Sequence, residues 1–516
     1  MTSVDAVKAG GESEENVAGV GDSAAAAAAA LYRGGGRLVY RGCLGHTGDA
    51  LDALKSSFQK LLRQGKGEAA ARCAVNMLLP ALFFRGGSGG GSGGGSGSGS
   101  GDGEESVQLA KSVVSNVLNR VLVVAVEDVK WSAAFPVVYG RVCALRRQLG
   151  DVVAGAGAAS GAGAASGVWN ALGSLCGLVE YLGAQPRLRL LSHLKTVCHL
   201  PPLYVKEASA RSKSSKRRQG VDSTTVYLTC MNNIRDLLEL PAAGVGAGVG
   251  VGVGASDGDG DGCGTECKSE EEALGAFDSA LEVLVALRLK MVEMGVDTAS
   301  DMGYFGRGEV IEGLVEAFDL VGGMMRRRPC SLFDSKKGRD ALFGRVVGRC
   351  VNGDEVAVVH ALWSCTNEMT HAERPLYLYE ALLVVGKGVG KGAVERGQCE
   401  VDKGCGAWPG DRVLDMVRLK EFPAVEAEHL DLHTRAGRGG GGGGRLAFAT
   451  RGAVVADELP HSDAMAVAYT LTKALLDYGW LVEDAPSRSK LKWALTVRED
   501  GKDAADWDKL LVRPRK

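Results

Sequence analysis

Apolar side chains recur every three or four residues over much of the chain, the period that lays one stripe along one face of a helix. Leu54, Phe58, Leu61 and Leu62 begin such a pattern, Gly65 to Gly67 interrupts it, and Ala69 to Leu79 resumes it. Residues 51–84 are therefore expected to form a helical hairpin. The pattern returns at Ser106 and runs to about Leu149, and within it the stretch Ser115 to Tyr139 organises the rest. Six apolar residues, Val121 to Val126, lie between Arg120 and the pair Glu127–Asp128. A run that is apolar on every side marks a helix buried all round. Arg120 and Glu127 stand two turns apart along one face, and buried charges are costly unless paired. Arg120, Glu127 and Asp128 are thus expected to be structural anchors tied to neighbouring helices.

Further helical segments are expected at Val168 to Leu182, at Arg187 to His199 (stopped by Pro201 and Pro202), and near Leu240. Beyond them come Glu270 to Met294, Glu309 to Met325, Arg339 to Val351, Glu355 to Asn367, Arg374 to Val385 and Val454 to Tyr478. Strands are scarce, with Arg445 to Thr450 and Lys492 to Val497 as candidates. Gly-rich runs punctuate the helices at 86–103, 154–167, 242–264 and before 444, and are read as loop insertions and linkers. The fold class is mainly α, a helical-hairpin or bundle architecture in two lobes with Gly-rich loop insertions. The expected boundaries are a disordered tail over 1–36, a helical domain over 37–241, and a linker over 242–269. A second helical domain follows over 270–510, carrying a loop-rich insert at 386–444, and then a basic tail over 511–516.

Composition sharpens this only in part. A chain of 516 residues with 45% hydrophobic content can bury substantial cores. Sixty basic and 62 acidic residues leave a net charge of −2, so no global field draws the chain to nucleic acid or anionic lipid. Thirteen scattered Cys suggest buried thiols in a reducing compartment and not a disulfide framework. The acidic N-terminus has no apolar core of a signal peptide, and no run of 18 strongly apolar residues stands out. An intracellular protein, nuclear or cytoplasmic and without a membrane span, is expected.

Two pieces carry a resemblance. Lys55 to Arg63 followed by Gly67-Glu68 and an Ala-rich helix is the first; Asn119 to Lys130 is the second. Together they resemble the C-terminal helical region of clamp-loader-like AAA ATPases of the replication-associated recombination protein A and Werner-helicase-interacting protein group, and related helical proteins of large DNA viruses. The resemblance spans about residues 51–150, with the Gly/Ser insert 86–103 inside it. Arg120, Ala125, Glu127 and Asp128 match the family's pattern; Asn119 and Lys130 depart from it. The resemblance implies an oligomerisation or assembly region of a replication-associated ATPase, whose catalytic half is missing here.

Several short motifs hint at chemistry and stop short of it. Val385 to Gly392 approaches a phosphate-binding loop but has Gly392 where a hydroxyl belongs, and a turn is the better reading. Asp257, Asp259 and Asp261 match half of a calcium loop, yet its twelfth position is Lys268. Cys399, Cys405, His429 and His433 have the residue types of a zinc site at unusually wide spacing, while Cys263 and Cys267 have no nearby His. His360 and Cys365 stand five apart, on different helix faces, as core residues do. Basic residues cluster at Lys206, Arg211, Lys213, Lys216, Arg217 and Arg218, at Arg326 to Arg328 and at Arg513 to Lys516. The first cluster is a candidate nucleic-acid or nuclear-localisation patch, against the plainer reading of an exposed loop.

These features favour a non-catalytic helical interaction or assembly module associated with DNA replication or repair. It would bind proteins, replication and repair factors or itself, and touch nucleic acid through the basic loop. No cofactor is expected. A general helical protein scaffold without a nucleic-acid role is the alternative, and a zinc-dependent protein built on the Cys/His insert is a third.

Overall fold

The computed structural model describes residues 44–83, 102–129, 133–154, 162–189, 192, 270–298, 301–326, 331–370, 373–426, 429–430, 434, 481–482 and 511–512. Among them fourteen helices account for 78% of the residues, which makes the fold mainly α. The helices are α1 (Leu51–Arg63), α2 (Gly67–Phe83), α3 (Asp102–Glu127), α4 (Phe135–Val153) and α5 (Ala162–Ala184). Then come α6 (Glu270–Glu293), α7 (Asp301–Phe305), α8 (Gly308–Arg326), α9 (Ser331–Asp334) and α10 (Lys336–Val347). The last four are α11 (Gly353–Glu368), α12 (Arg374–Lys387), α13 (Ala393–Gly404) and α14 (Gly410–Arg418). Extended pairing is slight: β1 (Leu481–Val482) meets β2 (Leu511–Val512) antiparallel, two residues each.

The chain divides into two compact units. Met1–Ala125, Val137–Pro186 and Gly397–Gly444 form the first; Val126–Pro136, Arg187–Arg396 and Arg445–Lys516 form the second. This division departs from the boundaries read from the sequence, which kept 386–444 with the second lobe. The reason is packing. Trp408 donates its amide to the Gly173 carbonyl and its indole N–H to Glu180, both on α5. Gly173 and Gly177 carry no side chain, so the backbone at Gly406–Trp408 can lie directly on α5. The expected loop-rich insert also contains two helices, α13 and α14.

In the first unit α1, α2, α5 and α14 pack on one another. Leu54, Phe58, Ala70, Ala74, Leu78, Leu172, Leu175 and Val179 are fully buried, as the period predicts. At Gly67 the start of α2 touches α5 backbone, where a Cβ would come within 2.9 Å of the Glu180 carbonyl. The stretch Val121 to Val124 is buried on every side, as expected. The 21 residues Val107–Glu127 are also long and apolar enough to cross a membrane by length and composition. That corrects the expectation that no such run exists, and here Val117, Leu118, Leu122 and Val124 are fully buried in the protein.

The second unit is built around α12. Every residue from Leu376 to Lys387 is buried, so a second helix has the all-round apolar character first noticed at 121–126. α6, α10 and α11 pack against it, and α8 lies along α6. Ser335 caps α10 by accepting the Gly338 amide at 2.9 Å, and Asn352 caps α11 by accepting the Glu355 amide at 3.0 Å. The helices expected at 187–199, near 240 and at 454–478, and the strands at 445–450 and 492–497, lie wholly or mostly outside the described residues; Arg187 itself forms an extended bridge with Val129.

Candidate functional site

The second unit contains a buried carboxylate that accepts five hydrogen bonds. Glu355, on the first turn of α11, is fully buried. Its Oε1 accepts from Arg288 at 2.8 Å, Asn352 at 3.2 Å and the Val389 amide at 3.1 Å. Its Oε2 accepts from Arg288 at 3.3 Å and the Val351 amide at 2.8 Å. A charge inside a protein is stable only when this densely bonded. The glycine loop that looked like a phosphate cradle is part of the same knot. Gly388 and Gly392 have φ of 81° and 73°, which suits glycine. The turn they make aims the Val389 amide at Glu355 and the Gly392 amide at Asp354, 2.6 Å away. Two amides that a phosphate would need are thus donated to the protein's own carboxylates.

The knot also fixes a surface. Arg288 belongs to α6, so its pairing with Glu355 holds Val351 at the C-terminal end of that helix. Val351 is 70% exposed, and Leu289 and Val292 on α6 are 58% and 60% exposed, with Met294 just past the helix at 45%. Among the described residues these are four of five exposed large hydrophobics, the fifth being Leu419 of the first unit. Alongside runs α8, whose Gly313 lies against Leu287 of α6. Glu309, Glu312 and Glu316 are exposed along α8.

The first unit has an open cleft of about 750 Å³ between the start of α2, Glu180 and Ala184 of α5, and Glu421–Pro423. Its charges answer one another. Arg72 bonds Glu68 and Glu421, both at 2.8 Å, and Arg412 reaches Glu68 at 3.2 Å while stacking on Trp408 at 3.8 Å. The hydrogen bond from Arg72 holds the Glu68 carboxyl below its ordinary value. A paired, solvent-facing network of this kind supplies neither a free base nor an activated nucleophile.

The chain matches no family model, no curated protein and no solved structure. What the chain does must therefore come from its own geometry.

The residues singled out in the sequence fall as follows. Arg120 is half-buried and donates to Gln59 of α1 at 3.3 Å. Arg189 binds Glu127 and Asp128 at 3.1 Å and 2.7 Å from the extended segment that bridges Val129 to Arg187, and Glu127 also accepts from the Ser192 hydroxyl at 3.2 Å. Both Arg189 and Asp128 are fully buried. Of the zinc candidates, Cys399 is exposed on α13 and Cys405 is buried where that helix ends beside Tyr181 of α5. His429 is buried against another helix, α1, with its Nδ1 3.0 Å from the Ser57 hydroxyl and its Nε2 3.4 Å from Gln64. His433 lies outside the described residues. Among the described residues no group of three or more His, Cys, Asp and Glu stands together to hold a metal. His360 is exposed and Cys365 buried, as different helix faces require. The basic cluster Lys206 to Arg218, the acidic run 257–262, and Cys263 and Cys267 lie outside the described residues. The surface at Leu289 and Val292 was missed, although a signal was present. The buried stripe of α6 is Phe277, Leu281, Leu284, Leu287 and Met291, and these two residues are apolar off that stripe.

Proposed function

We propose that the chain is a non-catalytic helical interaction and assembly module, and that the outer face at the C-terminal end of α6 is one surface through which it binds a protein partner. The observation that carries this reading is the exposure of Leu289 and Val292, one turn apart on the same side of α6. The resemblance of 55–74 and 119–130 to the clamp-loader-like helical region supports DNA replication or repair as the setting.

The test is a quantitative pull-down from cell extract with and without nuclease, comparing the wild-type chain with Leu289→Ser/Val292→Ser. Replication or repair proteins enriched by the wild type and lost from the variant would support both the module and its setting. A specific set of other proteins, lost from the same variant, would replace the replication setting with a general scaffold. An identical partner set for the two proteins would sink the assignment of this surface.

A further inference from the structure

We propose that residues 419–426 form a flap on one side of the first unit's cleft, closed near neutral pH and released when His46 takes up a proton. Glu421, Phe422 and Pro423 wall the cleft on that side; the start of α2, with Glu180 and Ala184 of α5, lines the rest. The segment that supplies this wall begins where α14 ends and is irregular from Glu421 onwards. Val417 before it and His429 beyond it are buried, yet no residue from Arg418 to Glu426 is. Leu419 is 68% exposed. A stretch with buried ends and nothing buried between them opens locally at low cost.

Two attachments hold it among the described residues. Arg72 of α2 donates to the Glu421 carboxylate at 2.8 Å and to its carbonyl at 3.1 Å. An exposed pair of this kind contributes little and is screened by salt. The other attachment is His46, in the loop before α1, whose ring meets that of Phe422 edge to face with centroids 5.5 Å apart. Between the two, Lys420 takes a left-handed φ of 54°, and the Glu421 and Phe422 amides donate to the Met416 and Lys420 carbonyls at 3.0 Å and 2.9 Å.

His46 suits the closed form only while it is neutral. Its Nδ1 is buried with no hydrogen-bond partner. A neutral ring can leave a lone pair there, whereas an imidazolium would bury an unbonded N–H. The charged groups on the surrounding elements do not favour that cation. Asp49 of the same loop accepts from the Thr47 hydroxyl at 2.6 Å, and Asp52 of α1 accepts the Ala53 amide at 2.9 Å. From α2 come the cation Arg72, bound to Glu68 and Glu421, and the neutral Cys73 and Asn76. The flap itself brings Lys420. Burial first, and then Lys420, hold the imidazole below its ordinary value of 6.5. Lifting the flap takes Phe422 and Lys420 away from the ring, so the open form binds a proton more readily. Acid below about pH 6.5 therefore shifts the balance towards it.

Hydrogen exchange of the full chain, read by mass spectrometry at about pH 7.5, 6.5 and 5.5 and corrected for the chemical exchange rate, tests this. Exchange in peptides covering 419–426 is expected to rise several-fold at the lowest pH, while α2 and α5 keep their protection. The rise should vanish in His46→Gln and shrink in Lys420→Gln. Lys420 is exposed, so its variant tests the same contact even where loss of His46 disturbs the loop. Corrected rates that stay constant across this pH range in the wild type, or a rise that survives both substitutions, overturn the proposal. A simultaneous loss of protection across α2 and α5 also does so, because acid would then be unfolding the unit and not lifting one segment.

Discussion

Replacing Glu355 by Gln changes one oxygen to an amide and leaves the volume alone, which isolates the charge of the knot from its packing. Five hydrogen bonds reach the carboxylate. With the Gln oxygen in the Oε1 place, the bonds from Asn352, Val389 and one arm of Arg288 survive. Its amide then faces the Val351 N–H and the other arm, donor against donor. Two bonds are lost and Arg288, whose side chain is only 20% exposed, keeps its charge without a counter-charge. Breaking a buried ion pair costs roughly 3–5 kcal/mol when one partner is removed outright. Retained bonds reduce this to about 2–3 kcal/mol for Glu355→Gln, with about 4 kcal/mol for Glu355→Ala. Set against domain stabilities of about 5–15 kcal/mol, either is large. Urea unfolding gives the total, and hydrogen exchange locates it: the Val351 and Val389 amides should exchange faster by about two orders of magnitude in Gln, while peptides from α1 and α2 stay unchanged. A Gln variant within about 0.5 kcal/mol of wild type, its Val351 and Val389 amides still protected, would refute the reasoning.

Three further outcomes follow from the same kind of argument. Arg189→Met should destabilise the protein by about 3 kcal/mol or more, because it leaves Asp128 buried beside an apolar chain; pairing it with Asp128→Asn should recover part of that loss in urea melts, and no recovery would count against the pair. His46 is held below its ordinary value of 6.5 by burial and then by Lys420. The unfolded chain therefore binds the proton more readily, and stability should fall as pH drops below about 6.5; His46→Gln should flatten that slope between pH 7.5 and 5, and an unaltered slope would exclude His46. Burial pushes the thiols of Cys73 up to about 12 and of Cys350 and Cys405 up to about 11. Among the described cysteines maleimide at pH 7 should reach exposed Cys399 far ahead of these three, as peptide mapping would show.

Much of the helical fold was legible because its cores are periodic. Leu54, Phe58 and Leu62, the stripe of α6, and the apolar run of α12 each declare a buried face by spacing alone. The pieces that were not legible lie in short or extended segments. α13 and α14 span only 12 and 9 residues, and the backbone between them meets α5 at Gly173 and Gly177, a contact with no apolar side chain to mark it. Arg189 sits in an extended segment, so its pairing with Asp128 depends on a bridge at Val129–Arg187 that no local pattern announces. The glycine loop at 388–392 was rightly seen as a turn, but the carboxylates it binds come from a helix more than thirty residues earlier. Leu289 and Val292 of α6 are legible as apolar residues off the buried stripe, but spacing alone does not say whether another element covers them.

The return of residues 405–429 to α1, α2 and α5 has a consequence for how the chain is made. Ser56 and Ser57 meet His429, and Glu180 meets Trp408, across 228 or more positions of sequence. A ribosome adding roughly 5–20 residues per second leaves the bare glycine face of α5 waiting on the order of ten seconds or more for its cover. During that interval helices α6 to α12 of the second unit are made. A nascent chain stalled before Gly397 would expose Gly173, Gly177 and their apolar neighbours to whatever chaperone or neighbouring chain reaches them first.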